Sequence, residues 1–166
     1  MYNKINDFLA DWKFESETTV KILSALTDKS LTQKVYDEGR TLGYLSWHLA
    51  VTISEMFEQA KINLGIKLDE LNEPDSSKEI LDSYKKVNDV LVKYLSENWK
   101  DENLPEELPM YGQTWKKGAV LDSLIKHQTH HRGQITVLMR QAGLAVPGIY
   151  GPSKEEWKNM GMKEAK

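Results

Sequence analysis

Apolar side chains recur along this chain at steps of three and four residues, and this spacing constrains the fold more than any other feature of the sequence. Charged residues such as Asp11 and Glu17 fill the intervening positions, as expected for the solvated face of an amphipathic helix. No segment shows the period-two alternation of a half-buried strand. The pattern predicts an all-α protein. The first helix face is formed by Ile5, Phe8, Leu9, Trp12, Thr19, Ile22, Leu23 and Leu26.

Two more helices are predicted in the middle of the chain. The second begins near Thr41, a good N-cap residue, and its pattern fades near Gly65. The third starts after Ser76 or Ser77, either of which can cap it. Its apolar residues, which continue to Tyr94, alternate steps of four and three residues. This alternation is the seam expected where helices pack as a bundle.

The fourth helix is predicted near the end of the chain. Thr114 can cap it, and its pattern runs from Trp115 towards Gln141. Gly143 then supplies a residue that suits the C-terminal stop of a helix. A short terminal helix that ends at Trp157 can follow the proline- and glycine-containing stretch beyond it.

The connections between these helices are long. Residues 28–40 form a polar connection, and residues 100–113, which include Pro105 and Pro109, are predicted to form an extended loop. Four long helices joined in this way predict one four-helix-bundle domain over residues 1–166, with crossover connections permitted.

Composition excludes several classes of protein. The net charge is −3, with acidic and basic residues well mixed, so we expect no nucleic-acid partner. No stretch approaches the ~20 consecutive apolar residues of a membrane span. The N-terminus lacks the pattern of a signal peptide, which favours a cytoplasmic protein. There is no cysteine, so disulfides, thiolate metal ligands and a cysteine nucleophile are excluded.

The histidines are the residues that carry chemistry. Of the four in the chain, His127 and His131 are four residues apart and therefore lie on one helix face. That face continues through Leu124 and Ile135, so both imidazoles are expected to point toward the core. His130 lies about 60–100° around the helix and is expected to flank the site. His48 occupies an equivalent inward position on the second helix.

Two interpretations of these histidines are open. Each imidazole can be a structural group that is satisfied by a carbonyl or a carboxylate. Alternatively His48, His127 and His131 share one divalent metal ion, which explains all three buried imidazoles by a single cause. Other metal patterns are absent: the chain has no His-Glu-x-x-His and no Glu-x-x-His pair.

Several neighbours can support such a site. Arg132 can bind an anionic substrate, but a salt bridge at the helix surface is the favoured interpretation. Gln134 can orient a ligand. Glu55, seven residues after His48, is expected to be a solvated or paired charge, with metal ligation as the alternative.

Three aromatic residues near the motifs have two interpretations. Tyr44, Trp47 and Tyr150 can line a pocket at the site. Packing in the core is the default explanation for such side chains.

The motifs resemble those of a known family. The run HQTHHRGQ at 127–134 resembles the His-x-x-x-His-Arg-Gly-Gln signature of the DinB-like (DinB/YfiT) superfamily. The segment LGYLSWHLA at 42–50 is similar to that family's first-histidine motif. The stretch 138–150 is similar to the family's ending after the last helix.

This resemblance implies a four-helix bundle of up-up-down-down order, commonly a homodimer. It also implies one divalent metal ion, most often nickel or zinc, held by residues that map onto His48, His127 and His131. His130 matches a variable position of the motif. Bacillithiol S-transferases and mycothiol-dependent maleylpyruvate isomerases share the fold, whereas many members have no assigned activity.

Three neutral imidazoles leave the charge of the ion uncompensated and at least one coordination position open, which is typical of catalytic sites. Water or a thiol bound there becomes a nucleophile at neutral pH. The chain has no cysteine, so a thiol has to come from a low-molecular-weight cofactor. Our first hypothesis is a metal-dependent enzyme that transfers such a thiol, or water, to a small electrophilic substrate. The alternatives are a non-catalytic metal-binding stress-response protein and a metal-dependent hydrolase.

Overall fold

Four long helices dominate the computed structural model of the chain, which describes residues 1–157, 160, 161 and 163. The prediction of an all-α four-helix bundle is confirmed. The long helices are α1 (Ile5–Ser24), α2 (Leu42–Gln59), α3 (Ser77–Asn98) and α4 (Lys117–Gln141). The smaller elements are 3-10 turns at Asp28–Thr32 and Asp101–Asn103, strands β1 (Glu107–Met110) and β2 (Gln113–Lys116), and the short helix α5 (Lys154–Trp157).

Helices α1 and α4 are neighbours and run in the same direction. At their N-terminal ends the Tyr2 N–H donates to the Gly118 carbonyl over 3.1 Å. Further along the same two helices, the Arg132 guanidinium binds the carboxylate of Glu15. The offset between contacting residues is nearly the same at both points, as parallel helices require.

Helices α2 and α3 both run in the opposite direction, because both start beside the end of α1. The Leu42 N–H donates to the Gln33 carbonyl over 2.9 Å, just after the 3-10 turn that follows α1. The Ser77 N–H donates to Asp28 Oδ1 over 2.8 Å at the same end of the bundle. The chain order is therefore up, down, down, up. It differs from the up-up-down-down order that the resemblance implied, because the crossover lies between α2 and α3, over residues 60–76.

The segment at 100–113 is not the simple loop that its prolines predicted. It contains the antiparallel hairpin of β1 and β2, and Trp115 lies in β2, so α4 starts at Lys117 rather than near Thr114. Tyr111 (φ 50°) and Gly112 (φ 76°) form the two-residue turn, since positive φ at both positions matches the twist of paired strands. Pro109 is tolerated because an isolated two-stranded hairpin consists of edge strands.

The helix ends follow ordinary capping chemistry. Thr41 caps α2 as predicted, and its Oγ1 accepts the Tyr44 N–H over 2.9 Å. The helix stops at Gln59, earlier than the predicted fade near Gly65, because Lys61 adopts a positive φ of 59°. Gly143 has a φ of 75° and ends α4 as predicted.

The core lies along the bundle axis. Trp12 from α1, Ile53 from α2, Tyr84 from α3 and Leu124 from α4 are all fully buried there. Among the described residues, no helix is both long enough and apolar enough to span a bilayer.

Arg132 is buried rather than at the surface. Only 1% of its side chain is exposed, and its guanidinium pairs with the Glu15 carboxylate. It also donates to the Glu15 carbonyl (2.7 Å), to Thr19 Oγ1 (3.1 Å) and to the Tyr150 hydroxyl (2.6 Å). The predicted salt bridge therefore exists, but its surface location was wrong. The contacts fix the rotation of α4 against α1.

We predict that Glu15→Ala lowers the free energy of unfolding by about 3–5 kcal/mol, because it leaves a buried guanidinium without its carboxylate. Urea denaturation of the purified protein measures this change. Lys78→Ala is the control, since it removes only the exposed pair of Lys78 with Asp82 and should leave the midpoint nearly unchanged. A Glu15→Ala protein as stable as the parent would contradict the importance of the buried pair.

Candidate metal centre

The structure brings the three predicted histidines together between two antiparallel helices. His48 comes from α2, and His127 and His131 come from α4. A hydrogen bond links the two helices beside these histidines: Nε2 of Gln128 in α4 donates to the carbonyl of Leu49 in α2 over 2.8 Å. One inward position of α2 therefore faces two consecutive turns of α4, as the spacing predicted.

The imidazole rings converge closely. Nε2 of His48 and Nε2 of His127 are 3.1 Å apart, and one ligand atom from each of the three residues lies within 4.8 Å of the others. The ring of His131 has its centroid 4.7 Å from that of His48 and 4.5 Å from that of His127. A tetrahedral ion with metal–nitrogen bonds of about 2.0–2.1 Å spaces its ligand atoms about 3.3 Å apart. The Nε2 atoms of His48 and His127 already lie close to that spacing.

A carboxylate orients His48. Its Nδ1 lies 2.7 Å from Oε1 of Glu70. Because a carboxylate only accepts hydrogen bonds, this nitrogen carries the proton and donates a hydrogen bond to Glu70. Nε2 of His48 then carries a lone pair, directed at the other two histidines. This carboxylate–imidazole arrangement is the support that metal-ligating histidines usually have.

Gln134 orients His131 in the way that Glu70 orients His48. The amide oxygen of Gln134 lies 2.7 Å from Nδ1 of His131, which leaves Nε2 of His131 as the acceptor nitrogen. The supporting role predicted for Gln134 agrees with this contact. Two lone pairs thus point into the space that His127 also faces, and a cation between them removes their repulsion.

The environment keeps His127 and His131 neutral. Burial lowers the pKa of His127 to about 4, and the proximity of His131 and His48 adds to the effect. Burial also lowers the pKa of His131, although its hydrogen bond to Gln134 opposes the shift. Neutral imidazoles are the form that binds metal ions, so at pH 7 the cluster is ready for a ligand.

Two of the three histidines are partly exposed to solvent. His48 keeps 17% of its side chain exposed, His127 is half-buried, and His131 is 6% exposed. Three protein ligands fill fewer positions than a divalent ion offers, and the open side is where an exogenous molecule can bind.

Two polar candidates are not part of the cluster. His130 is exposed and its ring lies beside that of His131, with centroids 4.9 Å apart, so it flanks the site as expected. Glu55 accepts a hydrogen bond of 2.7 Å from the Tyr111 hydroxyl at the hairpin turn. Glu55 therefore lies outside the cluster as a hydrogen-bonded carboxylate, and it helps to hold the hairpin on α2.

The three aromatic candidates have different roles. The Tyr44 ring stacks on His48, with centroids 5.9 Å apart and planes 11° from parallel, so it does line the site. Trp47 is 4% exposed and packs in the core. Tyr150 belongs to the buried network of Arg132 and Glu15 on the other side of α4.

Sequence reasoning missed Glu70. This residue lies in the connection between α2 and α3, where no periodicity indicates which side chains turn inward. Its contact with His48 spans 22 residues and depends on the path of that crossover. The one available signal was the position of acidic residues shortly after the helix that carries His48.

Comparison with known proteins gives a consistent result. The model of the DinB family matches residues 1–165. Protein YrdA of Bacillus subtilis (strain 168), which is itself uncharacterized, is 41% identical over 166 residues, covering 100% of this chain and 99% of YrdA.

Two solved structures show the same bundle. A DinB-like protein from Bacillus cereus ATCC 10987 superposes with a TM-score of 0.87 at 41% identity, over 90% of this chain and 100% of that one. YfiT from Bacillus subtilis, described as a probable metal-dependent hydrolase with an unusual four-helix bundle topology, has a TM-score of 0.65 at 17% identity. That match covers 84% of this chain and 87% of YfiT and shows a shared fold.

We predict that His48→Ala, His127→Ala and His131→Ala each abolish stoichiometric binding of Zn²⁺ or Ni²⁺, because two remaining imidazoles hold a divalent ion weakly. Calorimetric titration of the chelator-treated protein measures the binding. His130→Ala is the matched control, since it removes an exposed imidazole of the same helix and should bind like the parent. Equal losses in all four variants would argue against a specific triad.

We predict that Glu70→Ala weakens metal binding by about 10- to 100-fold, because His48 loses the group that fixes its proton and ring orientation. Competition with a chromophoric chelator gives the affinity. Glu70→Gln, which keeps an acceptor oxygen but not the charge, should fall between the parent and Glu70→Ala. An unchanged affinity in Glu70→Ala would show that the carboxylate does not support the site.

Proposed function

The chain belongs to the DinB family, and on that premise we propose that it is a metal-dependent enzyme that activates an exogenous nucleophile for attack on a small electrophile. The observation that supports this proposal is the histidine triad. Two of its imidazoles have their Nδ1 atoms engaged, which leaves their Nε2 lone pairs free to bind an ion within a cluster that is partly exposed.

The residues of the chain have separate tasks in this proposal. His48, His127 and His131 would hold the ion without compensating its charge. Glu70 orients His48, Gln134 orients His131, and neither occupies the open side. A divalent ion held there would supply Lewis acidity that lowers the pKa of a bound water or thiol.

Transfer of a low-molecular-weight thiol is the first reaction that we propose. The chain has no cysteine, so the sulfur nucleophile has to be a separate small molecule. In this reaction the thiol loses its proton to solvent and its sulfur forms a bond to the electrophilic carbon. The bond from that carbon to the leaving group breaks, and the leaving group departs with the electron pair and takes up a proton from solvent. Both the thiol and the electrophile would be small-molecule substrates.

Hydrolysis is the second candidate, and one observation favours it. YfiT, whose fold this chain shares, is described as a probable metal-dependent hydrolase. The same triad would serve with water as the nucleophile, so the two reactions differ in which molecule enters the open position. A non-catalytic metal-binding protein is the remaining alternative, in which the ion would stabilise the bundle.

Further properties are part of the proposal. Imidazole ligands suit nickel and zinc, and we propose one of these as the bound ion. We also propose that the chain works in the cytoplasm as a homodimer without a nucleic-acid partner. Sedimentation of the purified protein checks the oligomeric state.

The experiment uses protein purified without an affinity tag, whose metal content is measured by elemental analysis. The protein is then screened for conjugation of bacillithiol, mycothiol and glutathione to monochlorobimane, and for hydrolysis of p-nitrophenyl esters and amides. Each assay is run with and without a chelator, and with the His131→Ala and His130→Ala variants. We expect about one ion per chain and an activity that chelation and His131→Ala abolish but His130→Ala retains.

The outcomes separate the hypotheses. Conjugation without ester cleavage supports thiol transfer, and the reverse result supports hydrolysis. A large drop in the melting temperature on chelation, with no activity in any assay, supports the structural role. Protein that contains no metal and binds none would overturn the proposal.

A further inference from the structure

A groove of about 370 Å³ lies beside the triad, between the loop at 35–40 and the last turns of α4. We call it the Arg40 groove. Its volume is in the range of small-molecule sites, which is about 300–1,000 Å³. Its apolar wall includes Val35, Tyr36, Leu45 and Val137, and its polar side chains are Arg40 and Gln134.

The groove shares its inner wall with the residues that support the triad. Gln134, which lines the groove, accepts the hydrogen bond from Nδ1 of His131 over 2.7 Å. The Arg40 guanidinium lies 4.9 Å from the centre of the Tyr44 ring, and that ring stacks on His48. A molecule in the groove is therefore connected to His131 through Gln134, and to His48 through Arg40 and Tyr44.

Arg40 brings a positive charge that forms no ion pair among the described residues. It is exposed, and within residues 1–157 no carboxylate lies within ion-pairing distance of it. Glu70, which also acts on Tyr44, already accepts a hydrogen bond from His48. A guanidinium with free donors binds carboxylates and similar anions in a two-pronged geometry.

The apolar part of the groove is open to solvent. Val35 is 61% exposed, Tyr36 is 66% exposed and Val137 is 50% exposed. The Tyr36 side is held in place by a turn in which the Gly39 N–H donates to the Tyr36 carbonyl over 2.8 Å. A contiguous apolar surface of this kind beside a candidate metal centre is typical of a ligand-binding wall.

Cavities of about 530 and 470 Å³ are also larger than the Arg40 groove, and neither the triad nor its supporting residues line them. A third large cavity does not offer the same combination either. It measures about 540 Å³ and lies at the opposite end of α2, between Ser54 and Lys67. Its charged side chains include Lys67 and Glu58, which pair with each other over 2.8 Å. None of the three histidines or their supporting residues lines it.

We propose that the Arg40 groove is the substrate subsite, and that it takes a small organic anion with an apolar body. The anionic group, a carboxylate or a similar oxyanion, binds Arg40. The aliphatic or aromatic body lies against Val35 and Val137, and the reacting end extends past Gln134 toward the triad. This inference rests on the proposed function, because it assigns the substrate of the same site.

The test uses the protein loaded with Co²⁺, whose visible spectrum reports ligands at an open coordination position. The probes are hydroxamic acids, which bind metal ions through their head group. Acetohydroxamate has only a methyl group, whereas octanohydroxamate has an apolar hydrocarbon chain. Monohydroxamates of dicarboxylic acids with two to six methylenes carry a terminal carboxylate at the end of such a chain. Spectral titration gives a dissociation constant for each probe.

We expect octanohydroxamate to bind at least tenfold more tightly than acetohydroxamate, since each buried methylene is worth roughly a threefold to fourfold gain. We expect one chain length of the carboxylate series to bind more tightly still. Arg40→Ala should weaken that probe by about tenfold and leave octanohydroxamate within twofold. Val137→Asp should weaken every probe that has an apolar body. Lys29→Ala, which removes an exposed charge outside the groove, is the control.

Failure of this inference and failure of the proposed function give different results. Acetohydroxamate could change the spectrum while the apolar chain, the carboxylate and Arg40→Ala all leave the dissociation constants unchanged. In that case the ion has an open coordination position, but the Arg40 groove is not the substrate subsite. If the protein takes up no Co²⁺, or no hydroxamate changes the spectrum, the proposed function fails and the subsite fails with it. If Val137→Asp changes the sedimentation coefficient but no probe affinity, the groove is an interface between copies and the inference is overturned.

Discussion

The buried ion pair between Arg132 and Glu15 is the interaction on which the arrangement of the site depends. Successive residues of an α-helix point about 100° apart. When Arg132 is held against α1, its neighbour His131 is turned toward α2, where His48 lies. A charge this deeply buried tolerates no other orientation of α4, because leaving it unpaired is costly. The contacts on one side of α4 therefore determine where the histidines on its other side meet His48.

The triad itself shows why neutral, oriented imidazoles matter. Hydrogen bonds from His48 to Glu70 and from His131 to Gln134 engage one nitrogen of each ring, and the lone pair of the other nitrogen is directed inward. Burial disfavours protonation of His127. In a protein without cysteine, this cluster is a strong candidate for both metal binding and the activation of an outside nucleophile. Membership of the DinB family agrees with that interpretation without specifying the reaction.

Sequence reasoning succeeded where a local pattern carries the information and failed where a long-range contact does. The cap at Thr41 and the stop at Gly143 each depend on a few adjacent residues, and both were predicted. The hairpin was missed because its prolines suggested a loop, whereas the Tyr111 and Gly112 backbone forms a tight two-residue turn. Glu70 was missed because its contact with His48 depends on the path of the crossover connection.

The sequence by itself determined that the chain forms helices, which face of each helix is apolar, and that His48, His127 and His131 lie on inward faces, since these properties repeat every 3.6 residues. Only the tertiary structure decided the up-down-down-up order, the burial of Arg132 and the partner of each imidazole. Periodicity defines a face of a helix but not its neighbour. The neighbours are chosen by connections and buried contacts between residues far apart in the chain.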